Sequence, residues 1–178
     1  MLTDAQIRQY VQQGKISITP FSEDAIGSGN YQVRLGSMIL VPEEGQTVDL
    51  KEANPSIVYT EISMDPDTGY TLKPKGFILG QTLEKIAMDD DIGMLIDGRS
   101  TLARLGMSIH QSSTTVLPGQ DAHIVTLEIF NAGNFTIKIY PEMKIGKLVM
   151  FQSSEPNQQP YRRYGQYSGQ QQTTAAKL

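Results

Sequence analysis

Residues 97–131 read DGRSTLARLGMSIHQSSTTVLPGQDAHIVTLEIFN, and short alternating segments flank them on both sides. The run begins with two arginines and two hydroxyl side chains at positions 99–104. Arginine can hold a phosphate through two N–H groups at once, and hydroxyls and backbone N–H groups add neutral donors. The run ends in an apolar strand that carries one carboxylate, Glu128, which is costly to bury without a partner or a chemical task. This combination predicts chemistry on a phosphorylated small molecule.

The sequence as a whole predicts an all-β domain with little helix. Thr3 and Gln6 form a capping-box pattern, which predicts one helix over residues 3–14. Elsewhere, Gly, Pro and Asn separate short alternating segments, as is typical of antiparallel β domains. The predicted strands are residues 16–19, 31–41, 70–72, 77–82, 93–96, 124–130, 136–140 and 145–151, with weaker strand signals between 48 and 59.

Length and composition narrow the possible classes. A chain of 178 residues suits one domain. It has no cysteine, so disulfides, thiol nucleophiles and cysteine-ligated zinc are excluded. Its net charge of −4 lacks the basic character of a general nucleic-acid binder, and no apolar run reaches the length of a membrane span. We therefore expect a cytoplasmic protein without nucleic-acid or membrane partners.

Two charged features outside the central run have competing interpretations. Three consecutive acids, 89–91, could hold a metal, but nothing else has ligand spacing and a solvated turn is the preferred interpretation. Arg34 lies on a predicted strand and could contact another subunit, although a structural ion pair is the plainer explanation.

Two classes of nucleotide-binding protein are excluded by missing motifs. The zinc nucleobase deaminases need cysteine ligands, and the phosphate-binding P-loop motif is absent from the sequence.

The last part of the chain differs in composition from the rest. We predict a β domain over residues 1–152 with an N-terminal helix, followed by a tail over 153–178 that is rich in Gln, Ser and Tyr. On composition alone this tail is flexible. Its tyrosines and glutamines also supply stacking surfaces and amide donors, so it could order over a bound nucleotide like a lid.

Several motifs, in order along the chain, resemble the dCTP deaminase branch of the dUTPase superfamily. They are Val33-Arg34-Leu35-Gly36, the run GRSTLARLG at 98–106, Thr126-Leu127-Glu128, PEMKIG at 141–146, Tyr161 and the tail segment 166–171. The resemblance implies a distorted jelly roll or β-barrel that assembles as a homotrimer with active sites between subunits. It also implies hydrolytic, zinc-independent deamination of dCTP to dUTP and ammonia, with Mg²⁺ present only on the nucleotide triphosphate.

Carried over residue by residue, the resemblance assigns Glu128 as the general acid/base, with Ser100 and Arg104 as its catalytic partners. Arg99 and Thr101 would complete a phosphate cradle. The other expected nucleotide contacts are Leu102, Ala103, His110, Gln111, Ser113, Leu117, Thr126, Leu127, Tyr161, Gln166 and Gln170.

Plainer interpretations stand beside these roles. Glu128 could form a buried ion pair with an arginine, and the polar residues at 99–104 could cap a short helix. Leu102, Ala103 and Leu105 are expected to pack in the core. For His110, a structural role and a role in shaping the pocket are equally expected.

The hairpin before the Glu128 strand departs from the family pattern. Where the family reads I-D-P-G-[WF]-x-G, this chain reads Val116-Leu117-Pro118-Gly119-Gln120-Asp121-Ala122, and the segment to Glu128 is one residue longer. Leu117 replaces the aspartate and Gln120 the aromatic residue. Gln166 stands where some members have lysine, and Arg162 and Arg163 could compensate.

The loss of the aspartate argues against pyrophosphate hydrolysis and for dUTP as the product. The alternatives are a bifunctional deaminase–dUTPase, a dUTP diphosphatase, or a regulatory homologue that binds nucleotide without turnover.

Overall fold

The computed structural model describes residues 1–52 and 57–177, and within them the chain is mainly β-structure. The helices are α1 (Asp4–Gln12) and the single turn α2 (Ser100–Ala103), with 3-10 turns at Glu23–Ala25 and Tyr161–Arg163. The strands are β1 (Ile16–Thr19), β2 (Ile26–Gly27), β3 (Asn30–Arg34), β4 (Met38–Pro42), β5 (Tyr59–Ser63), β6 (Tyr70–Leu72), β7 (Phe77–Gln81), β8 (Lys85–Met88), β9 (Ile92–Gly98), β10 (Met107–Ser108), β11 (Thr115–Val116), β12 (Gln120–His123), β13 (Thr126–Asn131), β14 (Ile137–Ile139) and β15 (Lys144–Gln152).

The described strands form antiparallel sheets that share one core. One five-stranded sheet has the order β10-β13-β7-β4-β5 and the other has the order β11-β9-β15-β3-β2. A three-stranded sheet, β1-β8-β12, and the pair β14-β6 complete the fold. Buried side chains from the two larger sheets belong to the same hydrophobic cluster, among them Leu127 and Ile129 of β13 and Met94 and Met150 of β9 and β15.

The predicted N-terminal helix is confirmed, together with its cap. The Thr3 side chain accepts the backbone N–H of Gln6, and the Gln6 side chain accepts the backbone N–H of Thr3. This reciprocal pair satisfies two N–H groups that have no partner within a helix. Within the described residues, no helix has the length and apolar character needed to cross a membrane.

Several predicted strands have different bounds in the structure, and two of these differences have a clear physical reason. The single strand predicted over 31–41 is wrong, because β3 and β4 are separate and Gly36 lies between them, where its N–H bonds the carbonyl of Gln81. A Cβ at Gly36 would come within 2.9 Å of the Gln81 side chain, so a larger residue there would force that side chain to shift. The strand predicted over 124–130 starts at Thr126, because the N–H of Ile124 bonds Gln170 in the tail instead. The signals predicted between 48 and 59 fall partly outside the described residues.

Arg34 forms the expected structural ion pair. Its Nε donates to Glu84 Oε1 and its backbone N–H to Glu84 Oε2, both at 2.8 Å. Glu84 is 1% exposed, whereas the Arg34 side chain keeps 29% of its surface in contact with solvent. Donating this hydrogen bond to the Glu84 carboxylate raises the pKa of the Arg34 guanidinium. Both carboxylate oxygens of a buried residue are therefore satisfied by one arginine, and this ties β3 to the start of β8.

Two of the acids at 89–91, Asp90 and Asp91, have side-chain partners in the chain. Arg162 binds Asp90, and Lys15 and Gln152 both contact Asp91. Gln152 and Lys15 lower the pKa of the Asp91 carboxyl against the opposing effect of its burial. Among the residues that the structure describes, no group of three or more His, Cys, Asp or Glu side chains could hold a metal ion. The prediction of a solvated turn is therefore incomplete, because Asp90 and Asp91 contact protein cations and an amide as well as solvent.

We predict that Arg34→Ala lowers the free energy of unfolding by about 2–4 kcal/mol, because the buried Glu84 carboxylate loses its cationic partner and keeps only the bond from the backbone N–H of residue 34. Chemical denaturation followed by circular dichroism would measure the loss. Arg8→Ala is the matched control, since Arg8 pairs with Asp4 and Glu23 at the exposed surface, where ion pairs contribute little. Equal losses in the two variants would contradict this account of Glu84.

Candidate active site

A cavity of about 500 Å³ lies beside β13, between the loop that precedes β11 and the C-terminal tail. Phe77 and Leu79 of β7 give it an apolar wall, and Glu128 supplies a carboxylate. The full lining is Tyr59, Phe77, Leu79, Ile96, Gln111, Ser112, Ser113, Thr115, Val116, Gln120, His123, Ile124, Val125, Thr126, Glu128, Tyr161, Tyr167, Gln170, Thr174, Ala175 and Ala176. A concave, mainly apolar site with a few convergent polar groups is what small-molecule ligands require.

Glu128 faces this cavity because of the strand period. Leu127 and Ile129 point into the core, so the alternate residues Thr126, Glu128 and Phe130 lie on the opposite face and are partly exposed. Pairing with β7 fixes the register, with Glu128 opposite Leu79 and Leu127 opposite Gly80. The carboxylate therefore projects from a rigid central strand of its sheet.

Gln111 holds Glu128 in place through two hydrogen bonds, and a third, to Ser108, fixes the Gln111 side chain itself. Its backbone N–H donates to Glu128 Oε2 at 2.8 Å, and its Nε2 donates to the Glu128 carbonyl at 3.2 Å and to Ser108 Oγ at 3.1 Å. Within residues 1–52 and 57–177, the other carboxylate oxygen, Oε1, has no hydrogen-bond partner and no cation lies within 4 Å of either oxygen. The alternative of an ion pair with an arginine is therefore wrong for this part of the chain. One carboxylate oxygen of Glu128 is therefore fixed by Gln111, and the other has no partner within the described residues.

The residues at 99–104 lie elsewhere. Ser100, Thr101, Ala103 and Arg104 are exposed on α2, and none of them lines the cavity. Core packing is confirmed for Leu102, which is 8% exposed, and is wrong for Ala103 and for Leu105, which is 39% exposed. No side chain caps α2, so the helix-capping alternative is also wrong.

Arg99 is half-buried, and its Nη1 donates to the Lys144 carbonyl at 3.0 Å. Within one chain, the predicted phosphate-binding residues at 99–104 therefore do not reach the cavity that contains Glu128, the predicted general acid/base.

The other predicted contacts divide into two groups. Gln111, Ser113, Thr126, Tyr161 and Gln170 line the cavity. Leu127 belongs to the core, and Leu117, Gln166 and His110 lie outside the lining, although His110 adjoins Gln111 in sequence. His110 Nε2 lies 3.7 Å from Asp97 Oδ1.

The C-terminal tail packs against the domain at its base and near its end. At the base, the N–H groups of Tyr161 and Arg162 donate to the carbonyls of Pro118 and Gly119, both at 3.0 Å. Near the end, Gln170 Nε2 donates to Thr126 Oγ1 at 2.7 Å, and Thr173 Oγ1 donates to the Gly80 carbonyl at 2.8 Å. The tail thus forms one wall of the cavity. The predicted boundary between domain and flexible tail stays a prediction.

The altered hairpin supports the tail. Gly119 has φ +71°, and a Cβ there would overlap Pro160, so only glycine allows this approach. The Gln120 side chain is 5% exposed, and its Nε2 donates to the Leu117 carbonyl at 2.9 Å. The Leu117 side chain is 38% exposed. The amide of Gln120 therefore closes the hairpin internally.

Sequence reasoning missed several lining residues. Tyr59 and Phe77 come from β5 and β7, far from the central run, and no motif marks them. Gln120 was visible as a departure from the family pattern, but its burial was not. Thr174 lies in a segment of low complexity with no signal of its own. His123 is 5% exposed, and burial lowers its pKa, an effect opposed by the carbonyls of Asp121 and Ile86.

A family model described as dCTP deaminase-like matches residues 1–153. This chain belongs to the dCTP deaminase-like family. Relatives named "dCTP deaminase, dUMP-forming" include a protein from Sulfurihydrogenibium, 36% identical over 100% of this chain and 97% of the relative. Another, from Beutenbergia cavernae, is 32% identical over 99% of this chain and 94% of the relative.

Among solved structures, a 2′-deoxycytidine 5′-triphosphate deaminase from Agrobacterium tumefaciens superposes with a TM-score of 0.64 at 17% identity. The match covers 85% of this chain and 47% of that chain. At this identity the likeness shows the fold alone, and it confirms the predicted mainly-β architecture. The names of the relatives disagree with the sequence prediction on one point, because the product they state is dUMP and not dUTP.

We predict that His123 makes this dCTP deaminase-like chain less stable below about pH 6.5, its ordinary pKa. Because the folded-state pKa is lowered, the unfolded chain binds the proton first, so stability is present above that pH and is lost as pH falls. The melting temperature should decline between about pH 6.5 and 5, and His123→Gln should flatten that slope whatever its effect at neutral pH. A variant with the wild-type slope would contradict the assignment.

Proposed function

We propose that this protein deaminates dCTP by zinc-independent hydrolysis, with Glu128 as the proton-transferring group, and that it releases dUMP. The observation that carries the proposal is the Glu128 carboxylate, fixed by Gln111 through one oxygen and open to the cavity through the other. Family membership supports the substrate. The names of the relatives support dUMP as the end product.

The deamination needs one residue that can move protons in both directions. Glu128 takes a proton from a water molecule as the water oxygen adds to C4 of the cytosine, and it passes that proton to N3 of the ring. It then takes the proton of the new C4 hydroxyl and delivers it to the 4-amino group, so that the C4–N bond breaks, the C4 carbonyl of uracil forms and ammonia leaves. General acid–base help of this kind gives about 10²–10⁴-fold. The remainder comes from positioning and from dipoles directed at the developing charge.

The cavity suits the pyrimidine ring of dCTP better than it suits the triphosphate. Phe77 and Leu79 offer an apolar wall for a planar ring, with Gln111 and Glu128 at its polar edge. Among the lining residues there is no lysine or arginine, and Glu128 itself is negative. A triphosphate therefore needs cations that one chain does not bring to this cavity.

We propose that a neighbouring copy supplies those cations. Arg104 and Ser100 are exposed on α2, outside the cavity of their own chain, so they are available to a second subunit. Arg99 and Thr101 would complete the phosphate cradle in this arrangement. The resulting homotrimer has sites between subunits, each built from Glu128 of one copy and the 99–104 run of another.

The second hydrolysis, from triphosphate to dUMP, has to occur without an aspartate at position 117. In this chain Leu117 lies outside the cavity lining, and its carbonyl is engaged by Gln120. Because residue 117 does not line the cavity, the absence of an aspartate there argues less strongly against dUMP as the product. The names of the relatives favour dUMP.

Mg²⁺ fits as a counter-ion held by phosphate oxygens, which are the hard ligands it prefers. The cytoplasmic location and the lack of nucleic-acid or membrane partners remain predictions.

The product assay tests the proposal directly. Protein incubated with dCTP and Mg²⁺ should yield dUMP, ammonia and pyrophosphate on ion-exchange chromatography, and Glu128→Gln should lose at least about 100-fold in rate while retaining nucleotide binding. A dUTP peak that persists would correct the end product and leave the deaminase assignment standing. Binding of dCTP without any product would identify a regulatory homologue.

Subunit mixing tests the shared site. Glu128→Gln and Arg104→Ala subunits should each be inactive alone. After unfolding and refolding together in equal amounts, about a quarter of the sites combine an intact Glu128 with an intact Arg104 from the neighbour, so activity should return to roughly that level. A mixture that stays inactive, while co-refolded wild type recovers, would show that both residues act within one chain.

A further inference from the structure

An ion pair outside the cavity ties the C-terminal tail to the domain. Nη1 and Nη2 of Arg162 donate to the two carboxylate oxygens of Asp90, and the Nη2–Oδ2 distance is 3.0 Å. The Asp90 carbonyl also accepts the backbone N–H and the Nδ2 group of Asn157, at 3.0 and 2.9 Å. Asp90 lies in the turn between β8 and β9 and does not line the cavity that contains Glu128. It therefore binds the tail at two points without belonging to the site itself.

The partner of Asp90 directly follows a residue of the cavity wall. Tyr161 lines the cavity, and its ring packs edge-on against Tyr164 with 5.5 Å between the ring centroids. The N–H of Gly165 donates to the Tyr161 carbonyl at 2.7 Å, and a Cβ on Gly165 would overlap the Tyr161 ring. The ring is thus packed within the turn that carries Arg162. Holding Arg162 in place therefore also places Tyr161 in the wall.

We propose that Asp90 is a positioning residue for the nucleotide site, because by binding Arg162 it keeps the base of the tail docked and Tyr161 in the cavity wall before nucleotide arrives. The inference rests on the proposed function, since it takes the cavity as the site for dCTP. A site that is assembled only part of the time binds its ligand more weakly, in proportion to the assembled fraction. Once bound, the nucleotide itself helps to hold the tail. Loss of Asp90 should therefore change KM and leave kcat nearly unchanged.

The other contacts at the base of the tail set the size of this effect. The N–H groups of Tyr161 and Arg162 bond the carbonyls of Pro118 and Gly119, and these bonds persist when Asp90 is changed. Each is a neutral bond that water can replace, whereas a two-pronged bond between a guanidinium and a carboxylate is stronger. The two charged side chains keep 34% and 30% of their surface exposed, so solvent weakens the pair. We therefore expect a several-fold effect.

Neighbouring aspartates provide a matched pair of variants. Asp90→Asn removes the charge and leaves an amide that can accept through one atom only. Asp89→Asn removes the same charge one residue away, where the side chain is exposed and forms no ion pair in the part of the chain that the structure describes. We expect Asp90→Asn to raise KM for dCTP about fivefold with kcat within about twofold, and Asp89→Asn to stay within about twofold in both.

A double-mutant cycle shows whether Asp90 acts through Arg162. Arg162→Gln should raise KM by about as much as Asp90→Asn, and the double variant should raise it no further, because both changes remove one interaction. Increases that multiply in the double variant would show that the two residues act separately, and they would overturn the inference.

Trypsin cleavage measures the docking of the tail without nucleotide. Arg163 lies at the base of the tail and is present in every variant, and proteases cut chiefly at segments that open locally. Nucleotide-free Asp90→Asn and Arg162→Gln should be cut after Arg163 about fivefold faster than Asp89→Asn, with an unchanged melting temperature of the domain. Equal cleavage of Asp90→Asn and Asp89→Asn would contradict the proposed anchor.

The remaining outcomes separate this inference from the proposed function. If the wild-type protein does not turn over dCTP, both are overturned, and faster cleavage would then show a structural anchor only. If the wild type turns over dCTP and Asp90→Asn leaves KM unchanged, the inference fails and the proposed function stands. A lower melting temperature or kcat in Asp90→Asn with an unchanged KM would show a general structural role, which also overturns the inference.

Discussion

The hydrogen bond from the backbone N–H of Gln111 to Glu128 Oε2 is the contact on which the candidate site depends. It can form only because β13 keeps one register against β7, with Leu127 and Ile129 in the core. A slip of one residue would exchange the two faces, burying Glu128 in the core and exposing the leucine, at a cost that the core residues make prohibitive. Packing of the sheet is therefore what aims the carboxylate, and Gln111 only selects which of its oxygens remains free.

The same region explains how a hairpin that departs from its family can still belong to a working site. The Gly119 and Pro118 carbonyls accept backbone hydrogen bonds from the tail, and Asp90 holds Arg162 beside them. The hairpin thus serves as the base of the tail that covers the cavity. The buried Gln120 amide satisfies a carbonyl inside this loop, so the loop holds its shape without an aromatic residue at position 120.

Local patterns predicted from the sequence proved more reliable than pairings between distant residues. The capping box at Thr3 and the alternating strands both follow from patterns that span only a few residues. The partner of Arg34, by contrast, lies 50 positions away at Glu84, and no local pattern identifies it.

The tail was equally hard to predict, for a different reason. Its strongest contacts include backbone N–H groups bound to carbonyls, and these have no residue signature. Ser100 and Arg104 were predicted to act beside Glu128. Their positions in the sequence do not show whether that Glu128 belongs to the same chain or to a neighbouring copy.

The distribution of charge makes the division between subunits a requirement of the proposed chemistry. The cavity contains a carboxylate and no arginine or lysine among its lining residues, so on its own it would repel a triphosphate. A base could enter it alone, but the phosphates would remain in solvent and contribute no binding energy to orient C4 against Glu128. An arginine from the neighbouring copy would supply the missing positive charge and would also bind the phosphates. If the site is shared in this way, dissociation into single chains would leave the Glu128 pocket folded and still abolish turnover, so activity would follow the concentration of the assembled protein.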